Sequence, residues 1–144
     1  MMNKLVSTPA LLLTLTSSFI ITALYLWFTL LSPWGYSRPT HLLEVPAGEH
    51  RVFVYGTLRY PFVRWLVIGE WIDTTPAHLA GYRKEGLDLE PDQGSLVEGE
   101  TFTVERAQLL RLDRYERLGI RYERVSIELS DGSQAWVYQR LDRP

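Results

Sequence analysis

The feature that most constrains this chain is an uncharged apolar stretch near its N-terminus. No residue from Pro9 to Trp34 carries a charge, and most of the side chains between them are apolar. A helix needs about 20 such residues to cross about 30 Å of hydrocarbon. Tyr25, Trp27 and Trp34 gather at one end of the stretch, where an interfacial aromatic belt would lie. The sequence therefore predicts one transmembrane helix over residues 10–32.

Two other interpretations of the stretch stay open. A cleaved signal peptide has an apolar region of about 7–15 residues, followed by a cleavage site of small residues. Here the apolar run is longer, and Ser32-Pro33-Trp34 is a poor cleavage context. A buried core helix is the remaining interpretation. A retained single-pass membrane anchor is the one we favour.

The charges that flank the stretch bear on the orientation of the anchor. Lys4 precedes it, while Arg38 and Arg51 follow it within the range where loop charges matter. This nearly balanced count favours a cytoplasmic C-terminal domain only by a narrow margin.

A connector follows the anchor. Its composition is rich in the residues that keep a chain semi-extended, namely Pro33, Gly35, Pro39, Pro46 and Gly48. We therefore divide the chain into an anchor (1–34), a Pro/Gly-rich linker (35–50) and one compact domain (51–144).

Composition excludes several classes of function. The 144 residues include 15 Lys and Arg against 17 Asp and Glu, so no overall positive field is available to hold a nucleic-acid backbone. The absence of cysteine excludes disulfides, thiolate zinc sites and a cysteine nucleophile. The three histidines are too scattered along the chain to suggest a metal cage, and we expect no metal site.

The sequence of the domain predicts about five strands and two short helices. Strands are expected over residues 51–55, 79–82, 96–104, 122–129 and 135–141. Helices are expected over 61–68 and 105–116, and a loop containing Pro91 and Gly94 over 88–95. The Asp131-Gly132 pair predicts a tight hairpin turn between the last two strands. The fold class that fits is α+β, with a small mixed, barrel-like β-sheet and short helices.

The segment from Tyr55 to Arg59 is the first candidate for chemistry. Gly56 comes directly after a strand that the sequence predicts to be buried, and it allows a sharp turn that leaves amide groups pointing outward. Such donors can hold a carboxylate or a developing oxyanion. A strand that ends in Gly-Thr is also a common ordinary turn.

Glu116 is the second candidate. On a helical wheel it falls within the apolar arc that contains Leu109 and Leu112. A desolvated carboxylate has a raised pKa, which suits a general base that works near neutral pH. The alternative is a side chain at a frayed helix end that faces solvent or pairs with Arg121 or Arg124.

Arginines are concentrated on the other side of the same helix and beyond it. They could face anionic lipid headgroups, or they could simply form a solvated surface with ion-pair partners. The residues concerned are Arg106, Arg111, Arg114, Arg117, Arg121 and Arg124.

Five segments together resemble a known family. Val54-Tyr55-Gly56-Thr57-Leu58-Arg59 is similar to the substrate-loop signature of the gamma-glutamylcyclotransferase-like superfamily. The other four match the family in the same order: Leu79-x-Gly81-Tyr82, Val97-x-Gly99-Glu100, Leu112-Asp113-Arg114-Tyr115-Glu116, and a closing hairpin with Tyr122-x-Arg124 and Ala135-Trp136-Val137-Tyr138. The anchor lies outside the resemblance.

The resemblance implies an enzyme without a cofactor. Similar proteins cyclise a γ-glutamyl amide: the α-amine attacks the γ-carbonyl, which gives 5-oxoproline and a free amine or amino acid. By position, Glu116 is the catalytic acid–base. The residues that would bind the substrate are Tyr55, Gly56, Thr57, Leu58, Tyr122 and Tyr138.

One departure and one alternative accompany the resemblance. Many members place Gly after the catalytic Glu, whereas Arg117 and Leu118 here precede Gly119, so we expect the tight turn to be displaced by at least two residues. The alternative function is a non-catalytic ligand-binding or interaction domain of the same fold, tethered to a membrane complex. No nucleic-acid partner is expected.

Overall fold

The computed structural model describes residues 7–141, which fall into two compact units. One unit ends at Ser37 and the other begins at Arg38. Residues 38–50, which the sequence predicts as linker, therefore group with the domain. The proposed boundaries at 34 and 50 remain predictions.

The first unit contains the apolar helix α1 (Thr8–Leu30). The helix begins two residues before the start of the predicted span (10–32) and ends two residues before the end of that span. Its mean hydropathy reaches 1.8. The hydroxyls of Thr14, Thr16 and Thr29 donate to carbonyls three and four residues back, so they add little polar surface to the helix. Length and composition allow this helix to cross a membrane, as the sequence predicts.

The second unit is built on a curled five-stranded mixed sheet with short helices, which confirms the predicted fold class. The strands are β1 (Glu49–Val54), β2 (Thr75–Glu85), β3 (Asp88–Glu105), β4 (Tyr122–Glu128) and β5 (Gln134–Arg140). The sheet order is β2-β3-β1-β5-β4. Strands β1 and β5 pair in parallel, and the other neighbours are antiparallel.

Two helices flank the sheet. Helix α2 (Pro61–Ile68) has the predicted bounds, with Pro61 in the first turn and Gly69 in the left-handed conformation at its end. Helix α3 (Arg106–Glu116) begins at a capping box formed by Glu105 and Gln108. These two helices position the residues of the candidate site.

The core lies against the central strands. Phe53 on β1 and Val137 on β5 are almost fully buried, as are Leu109 and Leu112 on α3. Gly99 on β3 allows two strands to approach closely, because a Cβ atom there would lie 2.5 Å from the carbonyl oxygen of Val54 and 2.6 Å from the Phe53 ring.

One predicted element is wrong. Residues 88–95 are not a loop but the first half of β3, and Pro91 pairs with Tyr82. The register between β2 and β3 shifts between Ala80 and Tyr82, where Gly81 has a positive φ of 80°. A bulge of this kind places Pro and Gly inside a strand without ending it, which residue composition alone does not reveal.

Candidate active site

The segment after β1 leaves three amide groups unused. Residues Thr57–Arg59 form a single 3₁₀ turn, in which the amides of Arg59 and Tyr60 donate to the carbonyls of Gly56 and Thr57, each at 3.1 Å. Within residues 7–141, the amides of Gly56, Thr57 and Leu58 donate to no other group. The first N–H groups of a helical turn have no partner inside it, so they are free to bind an oxyanion or a carboxylate.

A cavity of about 510 Å³ opens at this segment. Three of the predicted substrate-binding residues line it, namely Tyr55, Gly56 and Thr57. The other lining residues are Arg59, Tyr60, Lys84, Leu87 and Glu100. Its volume is in the range of small-molecule sites.

The other predicted residues are not part of this cavity lining. Leu58 is only 3% exposed, so its side chain belongs to the core and its amide alone could face a ligand. In the part of the chain that the structure describes, the cavity lining does not include Tyr122, Tyr138 or Glu116.

Glu116 is the last residue of α3, and it is half-buried. Its carboxylate makes no hydrogen bond or ion pair with any residue from 7 to 141. Burial therefore raises its pKa from 4.5 to about 7. The alternative in which Arg121 or Arg124 neutralises this carboxylate is not seen among these residues.

The turn after Glu116 differs from the expectation. It is not displaced along the chain, because Arg117 itself takes the left-handed conformation at φ 53° and ends the helix. A residue with a Cβ atom adopts this conformation at a cost of about 1–2 kcal/mol, which Gly would avoid. The backbone at Arg117 therefore turns as it would if Gly directly followed Glu116.

The charge of the Glu116 carboxylate influences the pKa of three tyrosines. Burial is the largest cause that raises the pKa of each of Tyr55, Tyr122 and Tyr138, and the negative charge of Glu116 adds to all three shifts. These phenols consequently stay protonated at neutral pH and keep their hydrogens as donors.

Two of these hydroxyls are already engaged. The Tyr55 hydroxyl donates its single hydrogen to the backbone carbonyl of Tyr138 at 2.9 Å, and the carbonyl of Leu87 lies 3.3 Å away as a second possible acceptor. Tyr138 donates to the Asp113 carboxylate at 2.7 Å. Both tyrosines therefore brace the site, whereas the hydroxyl of Tyr122, which is half-buried, is engaged with no group in residues 7–141.

Asp113 is assigned no role in the sequence analysis, although Tyr138 and two arginines converge on its side chain. It is fully buried, and Arg38 donates to it at 2.7 Å. Arg124 lies 3.5 Å from the same carboxylate, with its guanidinium 4.9 Å from the centre of the Trp136 ring. The signal was available, because Asp113 follows Leu109 by one helical turn and thus falls on the same face.

Glu100 contrasts with Glu116. Its carboxylate lies 3.6 Å from Arg59 Nε and 3.8 Å from an Arg64 nitrogen, so two cations flank it. Glu100 lines the cavity and is flanked by cations, whereas Glu116 lies outside the lining and is desolvated without an ion-pair partner among residues 7–141. The raised pKa of Glu116 suits a proton acceptor near neutral pH.

The fold and this site define a class of protein, and comparison with known families identifies it. A sequence model of the family described as gamma-glutamyl cyclotransferase, AIG2-like, matches residues 52–143. The chain belongs to this family.

Individual relatives agree with this assignment. The chain is 38% identical to Protein AIG2 C of Arabidopsis thaliana in an alignment of 89 positions that covers 56% of this chain and 52% of that protein. The chain thus spans about half the length of this curated relative.

Solved structures share the fold. A protein from Arabidopsis thaliana, solved in solution, is 30% identical with a TM-score of 0.54, and the match covers 69% of this chain and 66% of that one. A gamma-glutamyl cyclotransferase is 14% identical with a TM-score of 0.56 over 66% of this chain and 68% of its own, which shows the fold alone.

Proposed function

We propose that this protein is a membrane-tethered gamma-glutamyl cyclotransferase in which Glu116 is the general acid–base. It would convert a γ-glutamyl amide to 5-oxoproline with release of an amine or an amino acid. The observation that carries the proposal is the unpaired, desolvated carboxylate of Glu116, whose pKa is raised to about 7, on a helix that contacts the segment with free amides through the Tyr115 and Thr57 hydroxyls, 3.3 Å apart.

The reaction needs a proton acceptor. The α-amine of a γ-glutamyl substrate is mostly an ammonium at neutral pH, and it cannot attack in that form. Glu116 first takes one proton from the ammonium, which frees the nitrogen lone pair to bond to the γ-carbon, and it gives that proton to the leaving nitrogen as the amide bond breaks. The ring nitrogen then loses its second proton to the carboxylate, which passes it to the released amine. The protons balance over the cycle, so the carboxylate returns to its starting state.

The segment after β1 supplies the second part of the chemistry. The amides of Gly56, Thr57 and Leu58 would hold either the oxyanion of the tetrahedral intermediate or the α-carboxylate of the substrate. Because ring closure is intramolecular, a folded substrate conformation supplies much of the rate.

Release of 5-oxoproline from a panel of γ-glutamyl amino acids and γ-glutamylamines tests the proposal. Product formation by the wild-type protein supports it. If none of the compounds is converted but one of them binds, the alternative of a tethered, non-catalytic ligand-binding domain is the better account.

The pH dependence gives a second test. The carboxylate form of Glu116 is the acceptor, so kcat/KM should rise with pH along a limb whose midpoint lies near 7. A solvent-exposed Glu would place this midpoint near its ordinary value of 4.5. A profile that is flat between pH 5 and 8 would contradict the assignment of Glu116.

The tether is tested separately. Residues 10–32 are proposed to span the bilayer once, so alkaline carbonate should leave the full chain in the membrane pellet. Ile20→Arg, near the middle of α1, adds about 3–4 kcal/mol to the insertion free energy and should release a measurable fraction. Release of the wild-type chain, or a mature N-terminus beyond Ser32, would show that no anchor is retained.

Protease protection in sealed vesicles tests the proposed cytoplasmic side of the domain.

A further inference from the structure

A buried arginine lies directly behind the candidate site. Arg64, on α2, is only 5% exposed, although the positions that a helix buries are normally apolar. One terminal nitrogen donates to the carbonyl of Leu58 at 3.0 Å and to that of Arg59 at 3.2 Å. Its Nε donates to the carbonyl of Ile72 at 3.2 Å. One side chain thus connects the site segment to the chain that follows α2.

The carbonyls that Arg64 binds have no other partner inside the turn. In a helical turn the N–H groups point toward the start and the C=O groups toward the end, and the last carbonyls are unsatisfied. Leu58 and Arg59 end the 3₁₀ turn Thr57–Arg59. A cation that holds these carbonyls fixes the orientation of the turn, and its first amides then face the other way, toward the cavity.

The guanidinium is itself held in place. It lies 5.8 Å from the centre of the Phe102 ring and 3.8 Å from the Glu100 carboxylate, both on β3. A buried cation without a nearby negative charge is strongly unfavourable, so Glu100 makes its burial tolerable. The rigid sheet therefore sets the position of Arg64, and Arg64 sets the position of the turn.

We propose that Arg64 is a positioning residue of this site: it fixes the turn after β1 so that the amides of Gly56, Thr57 and Leu58 face the cavity. It touches no substrate and acts through the segment that does. The kinetic part of this inference rests on the proposed cyclotransferase activity, whereas the structural part does not.

Two variants of the full chain and one control test it. Arg64→Met keeps most of the volume but removes the charge and all three hydrogen bonds. Arg64→Lys keeps the charge beside Glu100 but lacks the planar fork that reaches carbonyls in two separate segments. Arg106→Met is the control, because Arg106 is exposed and lies on a different helix.

The first measurement is amide hydrogen exchange at Arg59 and Tyr60, whose amides are bonded within the turn. Arg64→Met should raise exchange at these two amides at least tenfold relative to the β1 amides, and Arg64→Lys should raise it less. The second is kinetic: a misplacement of about 1 Å costs roughly 100-fold in rate, so kcat/KM should fall by about that factor. The midpoint of the pH profile should not move, because Glu116 is untouched.

The outcomes separate the two proposals. Wild-type exchange and wild-type kcat/KM in a folded Arg64→Met chain overturn the positioning role, and so does an exchange increase spread equally over the whole domain. If Arg64→Met does not fold, the same two measurements on Arg64→Lys decide. If the wild type converts no γ-glutamyl compound, the proposed function fails, while the exchange data still decide the role of Arg64.

Discussion

Replacement of Glu116 by Gln is expected to lower the turnover of a γ-glutamyl substrate by about 10²–10⁴-fold, which is the usual contribution of a positioned general base. Gln keeps the size of the side chain and cannot accept the proton. The domain should stay folded, because the carboxylate that is lost makes no ion pair within residues 7–141. The measurement is kcat for 5-oxoproline release, together with a circular dichroism spectrum of both proteins.

Two controls make this result specific. Glu123→Gln changes an exposed carboxylate on β4 and should leave turnover unchanged. Thr57→Ala should cost less than Glu116→Gln, because it leaves the backbone donors of the segment in place and removes only a hydroxyl that lies 3.3 Å from that of Tyr115. Normal turnover by Glu116→Gln would mean that another carboxylate is the base, and Glu100 is then the next to test.

The parts of the fold that could be predicted are those that local sequence specifies. Helix α2 has the expected bounds because Pro61 begins it and Gly69 ends it. The hairpin of β4 and β5 follows from the Asp131-Gly132 turn. Strand β3 is longer than expected because its bulge depends on pairing with β2, and pairing is a property of two distant segments.

The interior was harder to predict than the helix ends. Trp71 lies outside any regular element, is 69% exposed and stacks on Trp65 at 5.5 Å between ring centres. An aromatic residue outside a regular element gives no periodic pattern from which its burial can be inferred. The large apolar area of a Trp side chain does not by itself predict whether the side chain is buried.

The same limit applies to the candidate site. Glu116 could be selected because it combines a charge with a position on the apolar face of α3. Arg64 could not be assigned a role, since its partners are backbone carbonyls and backbone groups leave no mark in a sequence. The partners of Asp113 come from Arg38, Arg124 and Tyr138, which are far apart along the chain and meet only when the sheet forms.

The largest effect on stability is expected when the buried carboxylate of Asp113 is replaced. Asp113→Asn removes a charge that faces Arg38 at 2.7 Å and Arg124 at 3.5 Å. Arg124 is largely buried, and without Asp113 it would keep a cation in the interior with no ion-pair partner among residues 7–141. Breaking such a pair from one side typically lowers the free energy of unfolding by about 3–5 kcal/mol. Denaturant unfolding of the full chain measures this change.

A double-mutant comparison identifies the cause of that loss. Tyr138→Phe removes one hydrogen bond to Asp113 but leaves both arginines paired, so it should cost only about 1 kcal/mol. Adding Arg124→Met to Asp113→Asn removes the uncompensated cation, and part of the lost stability should return. If the double variant is less stable than Asp113→Asn by the full cost of Arg124→Met alone, the two residues are not coupled. The Asp113 carboxylate would then stabilise the domain through Arg38 and Tyr138 instead.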